Sequence, residues 1–176
     1  MFDRVKIIFL LIIFCGSLIG CREETRTVSR EKITKKDITG MWKLESMKVR
    51  DTATNIWKHY RGGMDGYLLY DGSGHVALHL YEKGYENTAL EFANFSDAIP
   101  LESLKHLTKS YYYMGNYSVS DSIVSHFKLS HSNPKEFGDT AERKFHFRGD
   151  TLVLEPVESQ NANLQLKLLR NKSSNL

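Results

Sequence analysis

Between Asp37 and Arg170 apolar and polar residues alternate in short runs of period two, broken by turn-forming residues. That pattern predicts half-buried strands, because successive side chains of a strand point to opposite faces. Met41 to Val49 is the first predicted strand, with Trp42 and Leu44 on one face against Lys43 and Glu45 on the other. Tyr67 to Tyr70 follows, then the turn Asp71-Gly72-Ser73-Gly74, then His75 to Tyr81, where Val76, Leu78 and Leu80 alternate with His75, Ala77 and His79. Tyr112 to Val119, Ile123 to Leu129, Glu142 to Arg148, Thr151 to Glu155 and Leu164 to Arg170 complete the set. Ser120-Asp121-Ser122 and Gly149-Asp150 sit between strands as hairpin turns. One segment differs. Leu101, Leu104 and Leu107 follow Pro100 at helical spacing, which predicts one short helix across or beside a barrel end. The fold class expected is all-β, an antiparallel up-and-down β-barrel of about eight strands, since closure removes exposed sheet edges.

The N-terminal pattern is of another kind. Arg4 and Lys6 precede an unbroken apolar run from Ile7 to Phe14, and Leu18-Ile19-Gly20 leads into Cys21. A basic start, an apolar stretch of about 7–15 residues and a small-residue cleavage site make an export signal. The run falls short of the roughly 20 apolar residues that a membrane-crossing helix needs. Leu18-Ile19-Gly20-Cys21 resembles the bacterial lipobox, which implies that the Cys21 thiol receives a diacylglyceryl group and becomes the mature N-terminus. Residues 1–20 are thus expected to be a lipoprotein signal peptide. Residues 21–36, polar and charged, are expected to be a lipid-anchored tether, 37–171 the barrel, and 172–176 a C-terminal tail. The expected location is the cell envelope, on a membrane reached through the lipid on Cys21. The acidic pair Glu23-Glu24 reads more simply as part of a solvated spacer than as a sorting signal.

Composition limits the chemistry. The chain of 176 residues holds two cysteines, Cys15 and Cys21. Cleavage before Cys21 removes the first and acylation blocks the second, leaving no thiol for a disulfide or a metal. A formal net charge of +3, with basic residues scattered, gives no electrostatic footprint for nucleic acid. His75 and His79 share a strand face about 13 Å apart at the rise of a strand, too far to hold one ion. No HExxH, no Gly-x-Ser-x-Gly elbow and no phosphate-cradling glycine loop occurs, so neither a metal, a cofactor nor a catalytic residue is assigned.

Gly40-Met41-Trp42 at the start of the first strand resembles the Gly-x-Trp signature of lipocalins. Gly66-Tyr67-Leu68-Leu69-Tyr70, Gly74, Ala77 and Leu80 are similar to a second block of the bacterial lipocalin-like domain family. Gly115, Tyr117, Val119, His126, Pro134, Gly138, Arg143, Phe145, Gly149-Asp150, Leu152 and Leu154 are similar to a third. The blocks keep the family's order from about Ile38 to Arg170, with a longer stretch at Glu86 to Pro100. The resemblance implies a barrel that holds a small apolar molecule, with Trp42 plugging one end and Arg170 packed over its ring.

Candidate ligand-binding residues follow from that expectation: His126, Arg143, Tyr117 and Tyr70. Strand parity sets Arg143 on the face of Phe145 and Phe147, pointing inward. Parity sets His126 with Val124 and Lys128, apart from Ile123, Phe127 and Leu129, so a β-bulge would be needed to turn it in. Alternate tyrosines of the Tyr111-Tyr112-Tyr113 run would line the lumen and face outward. The leading expectation is a lipid-anchored binding module for a small lipophilic ligand. The alternatives are an envelope interaction protein whose barrel is filled by side chains, and a small-molecule isomerase or cyclase using the cavity. The sequence does not fix an oligomeric state.

Overall fold

A computed structural model of the chain describes residues 35–90, 98–157 and 163–171. The expected signal peptide, Cys21, nearly all of the tether and the C-terminal tail lie outside the described residues. A single helical turn, Lys35–Ile38, leads into strand β1, Gly40–Arg50. The short β2, Trp57–His59, turns back along the end of β1. Then come β3, Met64–Tyr70, and β4, His75–Glu82, followed by the helix α1, Leu101–Leu107. The rest is strand: β5, Ser110–Ser120, β6, Ile123–His131, β7, Thr140–Arg148, β8, Thr151–Pro156, and β9, Leu164–Arg170.

Each strand pairs antiparallel with the next around the sheet, and β9 pairs back onto β1 from Trp42↔Arg170 to Val49↔Leu164. The eight long strands therefore form a closed up-and-down barrel, and β2 is a short addition that sequence periodicity missed. Its three residues are all exposed, so no alternation marked it.

The two ends of the barrel differ. The β3–β4, β5–β6 and β7–β8 connections are tight turns, and they gather at the end where β1 begins and β9 finishes. Asp71 builds the first of these turns, its carboxylate accepting from the backbone N–H groups of Ser73, Gly74 and His75. The opposite end carries the longer connections: β2 with the turn Tyr60–Gly62, the stretch holding α1, and the turn Pro134–Glu136.

Trp42 closes the tight end. Its indole is 1% exposed, and Nε1 donates to the Ile38 carbonyl at 2.8 Å. The Arg170 guanidinium lies 4.3 Å from the ring centroid, and its two terminal nitrogens donate to the Thr39 and Asp37 carbonyls at 2.7 and 2.8 Å. Arg170 thereby pins the incoming chain to the last strand and covers the indole. Leu68, Tyr70, Phe145, Leu152 and Leu168 pack inside above it, all nearly inaccessible to solvent.

Helix α1 forms where expected, and it turns its leucines outward. Leu101, Leu104 and Leu107 are exposed, while Ser103 and His106 are buried. The His106 ring stacks on Tyr85 at 4.6 Å, and its Nε2 bonds the Tyr85 carbonyl at 2.8 Å. A polar anchor to the loop before the helix thus outweighs the leucine stripe in setting its orientation.

Trp42→Ala removes the largest buried side chain of the closed end and is expected to cost about 3–5 kcal/mol. Arg170→Ala is expected to cost a smaller 1–2 kcal/mol or so, through its cation–π contact and carbonyl bonds. Urea unfolding measures both, and an unchanged midpoint for Trp42→Ala would remove it from this role.

Candidate functional site

The lumen side chains divide the barrel into a packed half and an open half. Beyond the layer of Tyr70, Phe145 and Leu152 lies a cavity of about 640 Å³ that reaches the end with the long connections. Its apolar wall includes Met47, Met64, Leu78, Leu80, Leu154 and Leu166. Its polar lining is concentrated on β5, β6 and β7 and the turns beside them: Tyr111, Tyr113, His126, Lys128, Glu136 and Arg143. The chamber therefore sets an apolar wall against a strongly polar one, and convergent polar groups of this kind fix the orientation of a small molecule in a pocket.

The polar wall arises from an inversion of the expected face of β6. His126 is 1% exposed and points inward with Val124 and Lys128, whereas Phe127 and Leu129 are 44% and 56% exposed on the outside. A bulge does exist in this strand, but it lies beyond His126. Register with β5 shifts between Met114↔Ser130 and Gly115↔Lys128, leaving Leu129 as the extra residue and returning His131 to the interior. Gly115 permits the close approach there, because a Cβ at this position would strike the Phe127 carbonyl. The expectation that apolar residues of β6 face the core was therefore wrong, and the reason is specific. The inward face is polar because its partners are supplied by neighbouring strands.

Those partners are two tyrosines. Tyr70 Oη lies 2.8 Å from His126 Nε2, and Tyr113 Oη lies 2.5 Å from Nδ1. Tyr113 comes from β5 and Tyr70 from β3, so three strands hold one imidazole at both nitrogens. Burial, reinforced by the positive charges of Arg143 and Lys128, pushes the His126 pKa from 6.5 down to about 3. The ring is neutral at physiological pH. Burial also raises the hydroxyl pKa values of Tyr70 and Tyr113, so both remain protonated.

A second polar group stands nearer the mouth. Lys128 Nζ is 2.5 Å from Glu136 Oε2, and His131 Nε2 is 3.3 Å from the same oxygen. Burial pushes the Glu136 carboxyl up, but the Lys128 hydrogen bond and charge prevail and hold it below its ordinary range. Arg61, held at φ +48° in the Tyr60–Gly62 turn, pairs with Glu82 at 2.8 Å on the opposite rim.

Of the four residues singled out from sequence, His126 and Arg143 line the cavity, and Arg143 points inward as parity required. Tyr70 and Tyr117 lie outside its lining; their rings pack together at 4.7 Å in the layer beneath. Tyr70 reaches the site only through His126. Tyr113, Lys128, His131 and Glu136 were not singled out. Simple alternation back from Tyr117 would have found Tyr113, since both lie on one face of β5. The outer tyrosines, Tyr67 and Tyr112, are exposed.

A family model described as a lipocalin-like domain matches residues 39–171, which spans the whole barrel from the turn before β1 to the end of β9. No curated protein matches the chain.

The unfolded chain takes up the His126 proton near pH 6.5, whereas the folded protein resists until about pH 3. Between those values the unfolded state binds more protons, so stability is expected to fall as pH drops through the window, by at most about 1.4 kcal/mol per pH unit for one group. His131, shifted down by burial, adds in the same direction. Asp51 and Asp71, held low by hydrogen bonds from Lys58 and His75, add their loss only below the ordinary carboxylate range. Urea midpoints measured between about pH 7 and pH 4.5 should therefore fall less steeply in His126→Gln than in the wild type. Equal slopes would show that the imidazole titrates freely in the folded protein.

Proposed function

We infer a function from one premise: the chain belongs to the lipocalin-like domain family, its match covering residues 39–171. The protein is a lipid-anchored component of the cell envelope that holds a small lipophilic ligand in its barrel. The cavity of about 640 Å³ carries this reading, since the lumen is plugged by Trp42 at one end and left unfilled at the other. Its volume falls within the range of roughly 300–1,000 Å³ common to ligand pockets. Apolar walls supply affinity by removing the ligand's hydrocarbon from water, about 25 cal/mol for each Å². The polar wall of β5, β6 and β7 orients it.

Binding fits the site better than catalysis. A general base works best with a pKa near the ambient pH. His126, held down to about 3, is a weak base, and both of its nitrogens are occupied by tyrosine hydroxyls.

The lipid anchor rests on the arrangement of residues 1–21: a basic start, an apolar run and Leu18-Ile19-Gly20-Cys21. The described chain enters the barrel at the Trp42 end, opposite the cavity mouth.

Two measurements test the reading. Native mass spectrometry of protein extracted from its own cells is expected to show a co-purifying mass of small-molecule size. Metabolic labelling with an alkynyl palmitate is expected to label the wild type and not Cys21→Ser, which should also leave the membrane fraction. Equal labelling of the two would sink the anchor, and a wild-type barrel that carries no guest and binds no lipophilic probe would sink the cargo.

A further inference from the structure

The face that strand alternation sends toward solvent is not polar throughout. Register sets Met41, Leu69, Ala77 and Met114 in one row across β1, β3, β4 and β5. The next row toward the mouth is Lys43, Tyr67, His79 and Tyr112, and it continues into β9 at Leu169. Met41, Tyr67, Leu69, Tyr112, Met114 and Leu169 are each between 37% and 60% exposed. Ala77, smaller than its neighbours Leu69 and Met114, leaves a depression of about 360 Å³ in this face. Five strands spaced about 4.8 Å apart make the belt roughly 20 Å wide. Monomeric proteins seldom leave so continuous an apolar patch bare, and large patches mark contact with a protein or a membrane.

Charge separates these two kinds of partner. Neither row holds a carboxylate, and the Lys43 ammonium stands in the second row, 5.9 Å from the Tyr67 ring centroid. The acidic neighbours lie outside the rows: Glu45 and Asp65 farther toward the mouth, and Asp71 paired with His75 at the tight end. A second copy docking about a twofold axis would set this face against itself, lysine toward lysine with no acid to match. An anionic bilayer meets the same face with opposite charge. Tyrosines suit that setting, since the ring enters the apolar layer while the hydroxyl stays among the head groups. Position agrees. The belt borders the tight end, where the described chain begins, and residues 21–34 span at most roughly 50 Å when extended. A lipid on Cys21 would therefore keep the belt within reach of the membrane surface.

We propose that this belt across β1, β3, β4 and β5 is a bilayer-docking face, seated on the head-group layer of an anionic membrane. This rests on the reading of Cys21 as a lipid anchor and names the surface by which the barrel meets that bilayer. Burial of the apolar side chains supplies the attraction, and Lys43 adds an electrostatic share from anionic lipid. With the wall of the barrel rather than an end against the bilayer, the barrel axis runs along the membrane plane. The mouth then opens beside the membrane instead of away from it.

The test uses wild type extracted from its own cells and reconstituted in vesicles of phosphatidylethanolamine and phosphatidylglycerol that carry a diazirine-tailed phospholipid. Irradiation and peptide mass mapping are expected to find lipid adducts on Tyr67, Leu69, Tyr112 and Met114 severalfold above those on Trp57, Leu101 and Phe137. Those three are comparably exposed but belong to the connections at the mouth end. Leu69→Glu, a change on the outer surface, is expected to lower adducts on Tyr112 and Met114 severalfold while the protein still sediments with the vesicles. Lys43→Gln is expected to shift the balance between seated and lifted barrels about fivefold toward the lifted, the weight of one cation near an anionic surface. Adducts no more frequent on the belt than on the three mouth residues would overturn the proposal and leave the anchor standing. A belt free of adducts in a protein of doubled mass by native mass spectrometry would overturn it too, giving the face to a second copy. Wild type that fails to sediment with the vesicles would bring down the anchor reading and the proposal together.

Discussion

The β1–β9 ladder closes the sheet, and the other features of the domain depend on that closure being sealed at one end and not at the other. An antiparallel sheet of eight strands left open would expose two rows of unpaired backbone groups and half of an apolar face. Pairing Trp42 with Arg170 across the seam removes both problems at one point. The indole fills the floor, its N–H holds the helical turn at Ile38, and the guanidinium over its face ties that turn to the last strand. The first and last strands of the domain are thereby fastened together through a single ring. Apolar burial can then be concentrated in the lower half of the lumen, and the upper half is relieved of the need to be filled.

That relief explains how so polar a wall is tolerated. A buried imidazole, a nearly buried lysine and a carboxylate would each oppose folding if left alone, because desolvation disfavours charge and an unpaired polar group loses its water. The barrel meets these costs by pairing. His126 is kept neutral and bonded at both nitrogens, and Lys128 is matched to Glu136 from a turn beyond its own strand. Pairing of this kind specifies more than it stabilises, since an apolar replacement of similar volume is often as stable. The polar wall is therefore better understood as a device for the lumen than as one for the fold. It lies where the cavity is, and among the described residues the closed half holds no buried ion pair.

The fold was largely legible in the sequence and the site only partly so. Strand alternation and turn residues located the eight long strands because half-burial imposes period two on any chain that adopts it. Trp42 and Arg170 were legible through a resemblance, and the structure sets them 4.3 Å apart. What failed was the rule that the more apolar face is the inner one. In β6 the inner positions are Val124, His126 and Lys128, and the outer ones include Phe127 and Leu129. In α1 the leucines are outside and His106 is within. In both cases the buried polar residue is bound to a partner distant in sequence: Tyr70 and Tyr113 for His126, Tyr85 for His106. Periodicity records only the residues of one segment, so it cannot register a partner supplied by another.

The same reasoning shows why parity succeeded for Arg143 and failed for His126, although both line one cavity. Phe145 and Phe147 lie on the Arg143 face, and their bulk fixes β7 with that face inward. Strand β6 has no such pair within its lumen face. Val124, His126 and Lys128 face inward by simple alternation, and the bulge at Leu129, beside the close approach at Gly115, brings His131 to the same side. A glycine in an otherwise tyrosine-rich strand was the visible trace of that contact. It marks where the neighbouring backbone comes too near for a Cβ, and hence where the next strand must bend. The bend puts Lys128 and His131 within reach of Glu136, and Tyr113 and Tyr70 hold His126 just below. The polar character of the cavity thus follows from the inward face of β6 and from the partners that β3, β5 and the Pro134–Glu136 turn bring to it.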